Sequence, residues 1–142
     1  MPTGPDGLPT HKHKEIKDFQ LKMLNKWNAL DCITCQYQME DAKTAIIAYG
    51  ITARAALAAV KIMRAKKQKV GLLKITTLWT QARNEVLKVM KKANKIVVAE
   101  ANWGHMFKSI RGMGHPDVDI RSVIRLDGKL ITPKEIIDGI TA

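Results

Sequence analysis

The chain has 142 residues, of which 46% are hydrophobic and 26% charged, and its formal net charge is +11. This length suits one folded domain with a full core, and this composition excludes a disordered protein. Nucleic-acid binding is not expected, because only 5% of the residues are aromatic and the lysines are spread over the outer faces of several predicted helices. No apolar run approaches the ~20 residues of a membrane span, so no membrane association is expected either.

The beginning of the chain predicts a linker followed by a helix. Residues 1–10 (MPTGPDGLPT) are rich in proline and glycine, which favour turns over regular structure. Residues 11–30 place apolar side chains at helical spacing between lysines. We therefore expect a linker over residues 1–10 and a single domain over residues 11–142 that is preceded by this N-terminal helix.

Three later stretches share a plan of apolar strand, turn and helix start. They are TAIIAYGITAR (44–54), VGLLKITTLW (70–79) and KIVVAEANWGH (95–105). The first is continuously apolar in its strand, which is typical of a strand covered on both faces. Thr52 and Asn102 are predicted to be the N-caps of the helices that follow the first and third strands.

Weaker signals complete the predicted fold. Residues 33–39 and 118–126 alternate as short strands, and residues 83–94 form a helix with an apolar stripe. Thr132, Pro133 and Glu135 form a capping box that starts a final helix. Strands that alternate with helices predict an α/β fold with three layers, α/β/α, around a mainly parallel sheet of about five strands.

A candidate anion site follows the first of these strands. Sheets of this kind bind ligands at the carboxyl ends of their strands. Gly50 makes the turn there, and Thr52 and Arg54 place a hydroxyl and a guanidinium beside a helix N-terminus that suits a phosphate or carboxylate. The turn lacks both glycine-rich phosphate fingerprints, so a purely structural cap beside an exposed arginine stays open as the alternative.

The third strand end offers a possible acid/base pair. Glu100 and His105 follow that strand with Asn102 between them, and a carboxylate near an imidazole can move protons. In the structural alternative Asn102 caps, Glu100 pairs with a neighbouring base or the backbone, and His105 lies on the surface. No nucleophile is recognisable, so no catalytic residue is predicted, and His115 is assigned to a loop.

The two cysteines, Cys32 and Cys35, form a single C-x-x-C. No second pair of ligands follows, and their surroundings alternate as in a strand, so neither a metal site nor a redox pair is expected. Few cysteines and the absence of a signal peptide favour a cytoplasmic protein.

Four motifs in order carry a resemblance to a known family. The family motif "VAYGSTAR" is matched by Ala48, Tyr49, Gly50, Thr52, Ala53 and Arg54, and the motif "VGLLRPITLWPFP" is matched by Val70, Gly71, Leu72, Leu73, Thr77, Leu78 and Trp79. The motif "VVEMNLGQM" is matched by Val97, Val98, Glu100, Asn102, Gly104 and Met106. The motif "DGEPITPEEILEAI" is matched by Asp127, Gly128, Ile131, Thr132, Pro133, Glu135 and Ile136. The chain thereby resembles the C-terminal, transketolase-like domain of the alpha subunit of 2-oxoacid:ferredoxin oxidoreductases, closest to the 2-oxoglutarate type. Departures are Lys74-Ile75 for Arg-Pro, residues 80–82 for Pro-Phe-Pro and His105 for Gln.

The resemblance implies a function in a larger enzyme. Members of this family decarboxylate a 2-oxoacid on thiamine diphosphate with Mg, pass electrons through iron–sulfur clusters to ferredoxin, and form an acyl-coenzyme A. For this chain it implies a role in assembly and active-site shaping beside a thiamine-binding domain and a beta subunit, with no cofactor bound by this domain alone and no catalysis by the chain alone.

The residues expected to approach a ligand are Gly50, Thr52, Arg54, Asn102 and Gly104. The alternative function is a free-standing anion- or nucleotide-binding α/β module that uses the helix N-terminus at Thr52 and Arg54.

Overall fold

The computed structural model describes residues 2–4, 6–30, 32–78, 82–114 and 117–142. It divides into two compact units, residues 1–31 and residues 32–142. The first unit holds one helix, α1 (His13–Asn28), which buries none of its residues. A turn closed by the N–H of Gly4 and the carbonyl of Leu8, 2.8 Å apart, precedes it. The linker predicted for residues 1–10 and the single domain predicted for residues 11–142 stay predictions.

The second unit contains the remaining strands and helices. In chain order they are β1 (Thr34–Tyr37), β2 (Thr44–Tyr49), α2 (Thr52–Ala65), β3 (Val70–Ile75), α3 (Arg83–Lys92), β4 (Lys95–Glu100), α4 (His105–Arg111), β5 (Asp119–Ile124) and α5 (Pro133–Thr141). The five strands form one sheet in the order β1-β3-β2-β4-β5. All neighbours are parallel except β1, which runs antiparallel to β3. The predicted α/β fold with a mainly parallel sheet is confirmed.

The sheet carries an apolar layer on each face, because consecutive strand residues point to opposite sides. Ile46 belongs to the cluster formed with α2 and α5, whereas its neighbour Ile47 belongs to the cluster formed with α3 and α4. Both side chains are fully buried. The three layers predicted from the sequence are therefore present.

Helix α2 lies close to the sheet because small residues form its inner stripe. Ala53, Ala56 and Ala59 are buried there together with Val60 and Met63. Alanine side chains let a helix backbone approach its neighbour closely while still excluding water. This packing holds the first turn of α2 directly beside the carboxyl ends of β2 and β3.

The final helix begins as the sequence predicts. The hydroxyl of Thr132 accepts a hydrogen bond from the N–H of Glu135 at 3.3 Å, and the N–H of Thr132 donates to Oε2 of Glu135 at 2.7 Å. Pro133 occupies the first position, so the capping box is confirmed. In the described residues, no helix is both long and apolar enough to cross a membrane.

Candidate functional site

The turn between β2 and α2 brings three of the predicted site residues together. Gly50 has a φ of +54°, a left-handed conformation that glycine adopts without a steric cost. Helix α2 begins at Thr52 with Ile51 at the N-cap position and no side-chain cap hydrogen bond. The predicted threonine cap is therefore wrong: Thr52 is the first residue of the helix, makes no side-chain cap hydrogen bond and is buried at 6% exposure.

Arg54 is exposed and borders two separate clefts. One cleft, of about 300 Å³, is also lined by Ile51, Thr52, Leu130 and Ile131. The other, of about 270 Å³, lies between α2 and the strands β1 and β3 and is also lined by Lys74. The Arg54 guanidinium has no hydrogen-bond or ion-pair partner within residues 2–4, 6–30, 32–78, 82–114 and 117–142.

The second group of predicted site residues surrounds a buried carboxylate. Glu100, at the end of β4, has no exposed surface. Its Oε2 accepts the N–H of Met106 at 3.0 Å and its Oε1 accepts the N–H of Phe107 at 2.9 Å. These N–H groups belong to the first turn of α4, where they have no partner within the helix. The Glu100 carboxylate thus occupies the positive end of α4.

Asn102 completes the same helix start without being its N-cap. Its Oδ1 accepts the N–H of Gly104 at 2.9 Å and the N–H of His105 at 3.1 Å. The N-cap position belongs to Gly104, whose φ is +77° and whose added Cβ would lie 2.9 Å from Cδ1 of Ile124. The prediction that Asn102 is the N-cap is wrong in position, although its side chain does bind the backbone of the helix start.

Tyr49, the last residue of β2, contacts this second group, and it is not among the predicted site residues. Its hydroxyl donates to Oε2 of Glu100 at 3.3 Å and accepts a hydrogen bond from Nδ2 of Asn102. Burial and the neighbouring negative charge of Glu100 raise the pKa of Tyr49 above its ordinary value of 10.0. A signal was present, because both residues end apolar strands, but only the observed β2–β4 pairing makes them neighbours.

The possible acid/base pair of Glu100 and His105 does not form. Both carboxylate oxygens of Glu100 accept backbone N–H groups, and His105 is exposed on α4. The structural alternative, in which Glu100 binds the backbone and His105 lies on the surface, is confirmed for this end of the sheet. His115 lies outside the described residues.

The described residues do not fit a metal ion or an iron–sulfur cluster. Among them, no group of three or more histidine, cysteine, aspartate or glutamate side chains converges on one point. The chain has two cysteines, whereas a cluster is usually held by four. The Sγ of Cys32 lies 3.6 Å from the carbonyl oxygen of Thr77, as a weak donor, and Cys35 is exposed.

The architecture is that of a transketolase-like α/β domain, and comparison with known families identifies the family to which the chain belongs. A three-layer α/β/α domain with an antiparallel edge strand has a structural relative in a split-gene transketolase, with a TM-score of 0.60 and 16% identity over 77% of this chain and 40% of that one. Residues 42–136 match the family described as pyruvate:ferredoxin oxidoreductase core domain II. The chain belongs to this family.

The named relatives are oxidoreductase subunits, which is consistent with the family match. The 2-oxoglutarate synthase subunit KorA of Methanothermobacter thermautotrophicus is 27% identical over 93% of this chain and 35% of its own length. The ketoisovalerate oxidoreductase subunit VorB of Methanothermobacter marburgensis is 29% identical over 87% of this chain and 36% of its own length. The chain therefore spans about a third of the length of these relatives.

A solved structure shows the same fold over almost the whole chain. It is a 2-oxoglutarate:ferredoxin oxidoreductase from Magnetococcus marinus with 2-oxoglutarate, coenzyme A and succinyl-CoA bound. The TM-score is 0.80 at 20% identity, and the match covers 99% of this chain and 25% of the other. The resemblance inferred from the four sequence motifs is confirmed.

Proposed function

We propose that this chain serves as the second core domain of the alpha subunit of a 2-oxoacid:ferredoxin oxidoreductase, with 2-oxoglutarate as the 2-oxoacid. In the complete enzyme the 2-oxoacid is decarboxylated oxidatively to an acyl-coenzyme A, and this domain contributes to assembly and to the shape of the active-site approach. The similarity to subunit KorA along 93% of the chain supports the assignment. A cytoplasmic location belongs to the same proposal.

The observation that carries an assembly role is a set of exposed apolar side chains at the carboxyl edge of the sheet. They follow four strands: Ile51 after β2, Leu78 after β3, Trp103 after β4, and Leu126 and Leu130 after β5. Trp103 is 70% exposed and Leu130 is 63% exposed. Apolar side chains gathered at one edge of a domain mark a surface that another protein covers. We call these five residues the carboxyl-edge patch.

The cofactors of the proposed enzyme belong to its other parts. Among the described residues of this chain, no group of three or more histidine, cysteine, aspartate or glutamate side chains could hold a metal ion, and no thiamine-binding motif is recognisable in the sequence. We therefore assign them to the thiamine-binding domain and the beta subunit, with ferredoxin as the electron acceptor of the whole complex. Coenzyme A is the substrate to which the acyl group passes there, and this domain's own residues supply surface and shape.

Co-expression tests this proposal directly. A tagged form of the chain is produced with the thiamine-binding domain and the beta subunit encoded by the same genome, and the purified material is assayed for 2-oxoglutarate- and coenzyme A-dependent reduction of a viologen dye. We expect all components to co-purify and to turn over together, and the chain alone to be inactive. Turnover by the isolated chain, or separation of the components at micromolar concentration, would contradict the proposal.

Two surface variants relate the association to the carboxyl-edge patch. Trp103→Glu places a charge in the middle of the proposed interface and should abolish co-purification. Ile62→Glu is the matched control, because Ile62 is also an exposed apolar residue, at 43%, but lies on α2 away from that edge. If both variants co-purify equally well, the patch is not the contact surface.

The second candidate function is an anion-binding module at the start of α2. It is favoured by the guanidinium of Arg54, which has no partner among the described residues and lies beside a cleft of about 300 Å³, and by the first turn of α2, which has no side-chain cap. Asn102 and Gly104, predicted as further ligand contacts, lie at the α4 start, where Asn102 Oδ1 and the Gly104 N–H bind each other. Their role toward a ligand stays a prediction.

Calorimetry separates this candidate from the first. The isolated chain is titrated with coenzyme A and with inorganic phosphate. Binding that Arg54→Ala weakens by about tenfold, the loss of one charged contact, supports the module. An affinity that Arg54→Ala leaves unchanged rules out Arg54 as the ligand contact and leaves the assembly role.

A further inference from the structure

The second cleft beside Arg54 has the composition of a binding site for an organic anion. It has a volume of about 270 Å³ and lies on the α2 side of the sheet. Its apolar wall is made by Tyr37 on β1, Leu57 on α2 and Leu72 on β3. Tyr37 and Leu72 are direct partners in the β1–β3 register, and Tyr37 and Leu57 are half-buried. Together with the buried Leu72, at 4% exposure, these two side chains make the wall of the cleft apolar.

The cleft exists because the two helices on this face do not extend over the whole sheet. Helix α2 packs on β2, β3 and β4, and helix α5 packs on β4 and β5. Strand β1 adds to the sheet on the far side of β3, so the side chains of β1 that face this layer stand beside α2 instead of beneath it. The cleft therefore results from the position of β1 in the sheet.

Two cations from different elements border this opening. Arg54 comes from the first turn of α2 and Lys74 from the end of β3, and both are exposed. Neither side chain has a hydrogen-bond or ion-pair partner in the described part of the chain. Other basic residues of the domain do pair: Arg64 with Asp41, Arg121 with Asp119 and Lys88 with Glu85.

None of the described residues that line the cleft is acidic. Two positive charges beside one apolar cleft both attract an anion, and a bound anion offsets the repulsion between them. An apolar wall alone would suit any hydrophobic group, and two cations alone would suit any anion. The combination selects a molecule that has both parts.

We propose that this cleft binds a small organic anion. A phosphate, carboxylate or sulfonate group is held by Arg54 and Lys74, and a ring-sized or branched apolar group lies on Tyr37, Leu57 and Leu72. The volume is near the lower limit for ligand sites, which fits a molecule of this size. This binding does not depend on the oxidoreductase function, and it differs from the first cleft because Lys74 borders only the second.

A titration followed by nuclear magnetic resonance tests the proposal on the full chain. Phenyl phosphate is the probe that combines both features, and inorganic phosphate and phenol each carry one of them. We expect phenyl phosphate to shift the backbone amides of Tyr37, Gly50 and Leu57 in a saturable way. The two single-feature probes should bind at least about tenfold more weakly, because each lacks one set of contacts.

Side-chain variants connect the binding to the two cations. Lys74→Met and Arg54→Met should each weaken phenyl phosphate by about tenfold or more, the loss expected for one charged contact. Lys61→Met is the matched control: Lys61 is also exposed on α2 and without a carboxylate partner among the described residues, and its affinity should stay within about twofold. All three positions are exposed, so the amide spectrum should show each variant folded.

Three results would overturn the proposal. Inorganic phosphate that binds as tightly as phenyl phosphate would leave no role for the apolar wall. Shifts confined to Ile51, Leu130 and Ile131 would place the ligand in the first cleft. An affinity that Lys74→Met leaves unchanged would exclude the lysine, and in each case the assembly role of the domain would be unaffected.

Discussion

The hydroxyl of Tyr49 lies 3.3 Å from Oε2 of Glu100, and this contact joins the ends of the neighbouring parallel strands β2 and β4. The same carboxylate binds the first turn of α4 through Met106 and Phe107. Strand ends and helix start are therefore held by one buried polar network. A fully satisfied buried network rigidifies its surroundings, while a partly satisfied one is costly.

Replacing Glu100 by glutamine should destabilise the domain. The substitution Glu100→Gln turns one acceptor oxygen into an NH₂ group that faces a backbone N–H of α4, so one buried donor is left without a partner. The expected loss in the free energy of unfolding is about 1–3 kcal/mol, measured by urea denaturation. Glu40→Gln is the control: it changes the net charge equally, but Glu40 is exposed, and its effect should stay within about 0.5 kcal/mol. Equal losses in the two variants would show that net charge, and not the network, determines stability.

Removing the Tyr49 hydroxyl should weaken the same network more mildly. Tyr49→Phe keeps the ring but leaves Oε2 of Glu100 with the N–H of Met106 and without the hydroxyl. We expect a loss of about 1 kcal/mol in the free energy of unfolding. The double variant Tyr49→Phe with Glu100→Gln should lose less than the sum of the two single losses, because the two residues contact each other. A fully additive double variant would contradict the coupling.

The raised pKa of Tyr49 gives the stability a dependence on alkaline pH. Burial and the charge of Glu100 keep Tyr49 protonated in the folded state above the ordinary value of 10.0. The unfolded chain loses its proton first, so this contribution is complete below pH 10 and is lost as the pH rises through the folded pKa. Urea denaturation at a series of pH values from about 9 upward should show a steeper loss in the native chain than in Tyr49→Phe. Parallel curves would contradict the prediction.

Replacing Arg64 even by lysine should destabilise the domain. Its Nε donates to the carbonyl of Val70 at 2.7 Å, and its Nη2 donates to the carbonyl of Gln38 and to Oδ1 of Asp41, both at 2.7 Å. Lysine cannot reproduce this planar set of donors. Arg64→Lys should therefore cost on the order of 2 kcal/mol in thermal or urea unfolding.

Two further variants and a pH series show how much of the stability loss in Arg64→Lys comes from the contact with Asp41. Asp41→Asn should cost less than Arg64→Lys, because Asp41 is exposed and the backbone contacts of the arginine remain. The hydrogen bond from Arg64 lowers the pKa of Asp41 below 3.8, so the contribution of this pair is present above that pH and is lost as the pH falls through the lowered folded pKa. Arg83→Lys, at an exposed position of α3, should change stability by no more than about 0.5 kcal/mol. A larger loss in Asp41→Asn than in Arg64→Lys would contradict this explanation.

Gly71 should not tolerate even a methyl group. A Cβ there would lie 2.5 Å from Sδ of Met39 and 2.6 Å from the backbone oxygen of Gln38, so the backbone of the β1–β2 connection would have to move. Gly71→Ala should destabilise the domain by about 1–3 kcal/mol. At Gly112 the nearest atom to an added Cβ is the oxygen of Lys108 at 3.3 Å, and Gly112→Ala should be much better tolerated. Equal melting temperatures for both variants would contradict the expected clash.

Individual elements show where sequence reasoning succeeded. The strand predicted at the start of TAIIAYGITAR is observed as Thr44–Tyr49, because its continuous apolar run suits a strand that is covered on both faces. The capping box at Thr132 was also correct, since its contacts join residues three positions apart. The helix predicted over residues 83–94 ends earlier, at Lys92, a difference of the size that fraying helix ends commonly show.

Two of the errors concern residues whose surroundings come from distant parts of the chain, whereas the misplaced cap at Asn102 is local. Thr52 has the residue type of an N-cap, but it is the buried first residue of α2, beside a cleft that Leu130 and Ile131 also line, and Ile51 takes the cap position. Tyr49 is not among the predicted site residues, although it contacts Asn102, which is one of them. Its partner Glu100 is 51 positions away, and no local pattern indicates that separation.

The sequence by itself determined the type and approximate bounds of the strands and helices of the α/β domain, the two apolar faces of the sheet and the family, because each depends on residue type, periodicity or motifs within a short window. Only the tertiary structure decided that β1 pairs antiparallel beyond β3, that the carboxylate of Glu100 binds the start of α4, and that Arg54 and Lys74 border one cleft. These features depend on the order of strands in the sheet. That order is set by the packing of the whole core, which brings together residues that the chain keeps far apart.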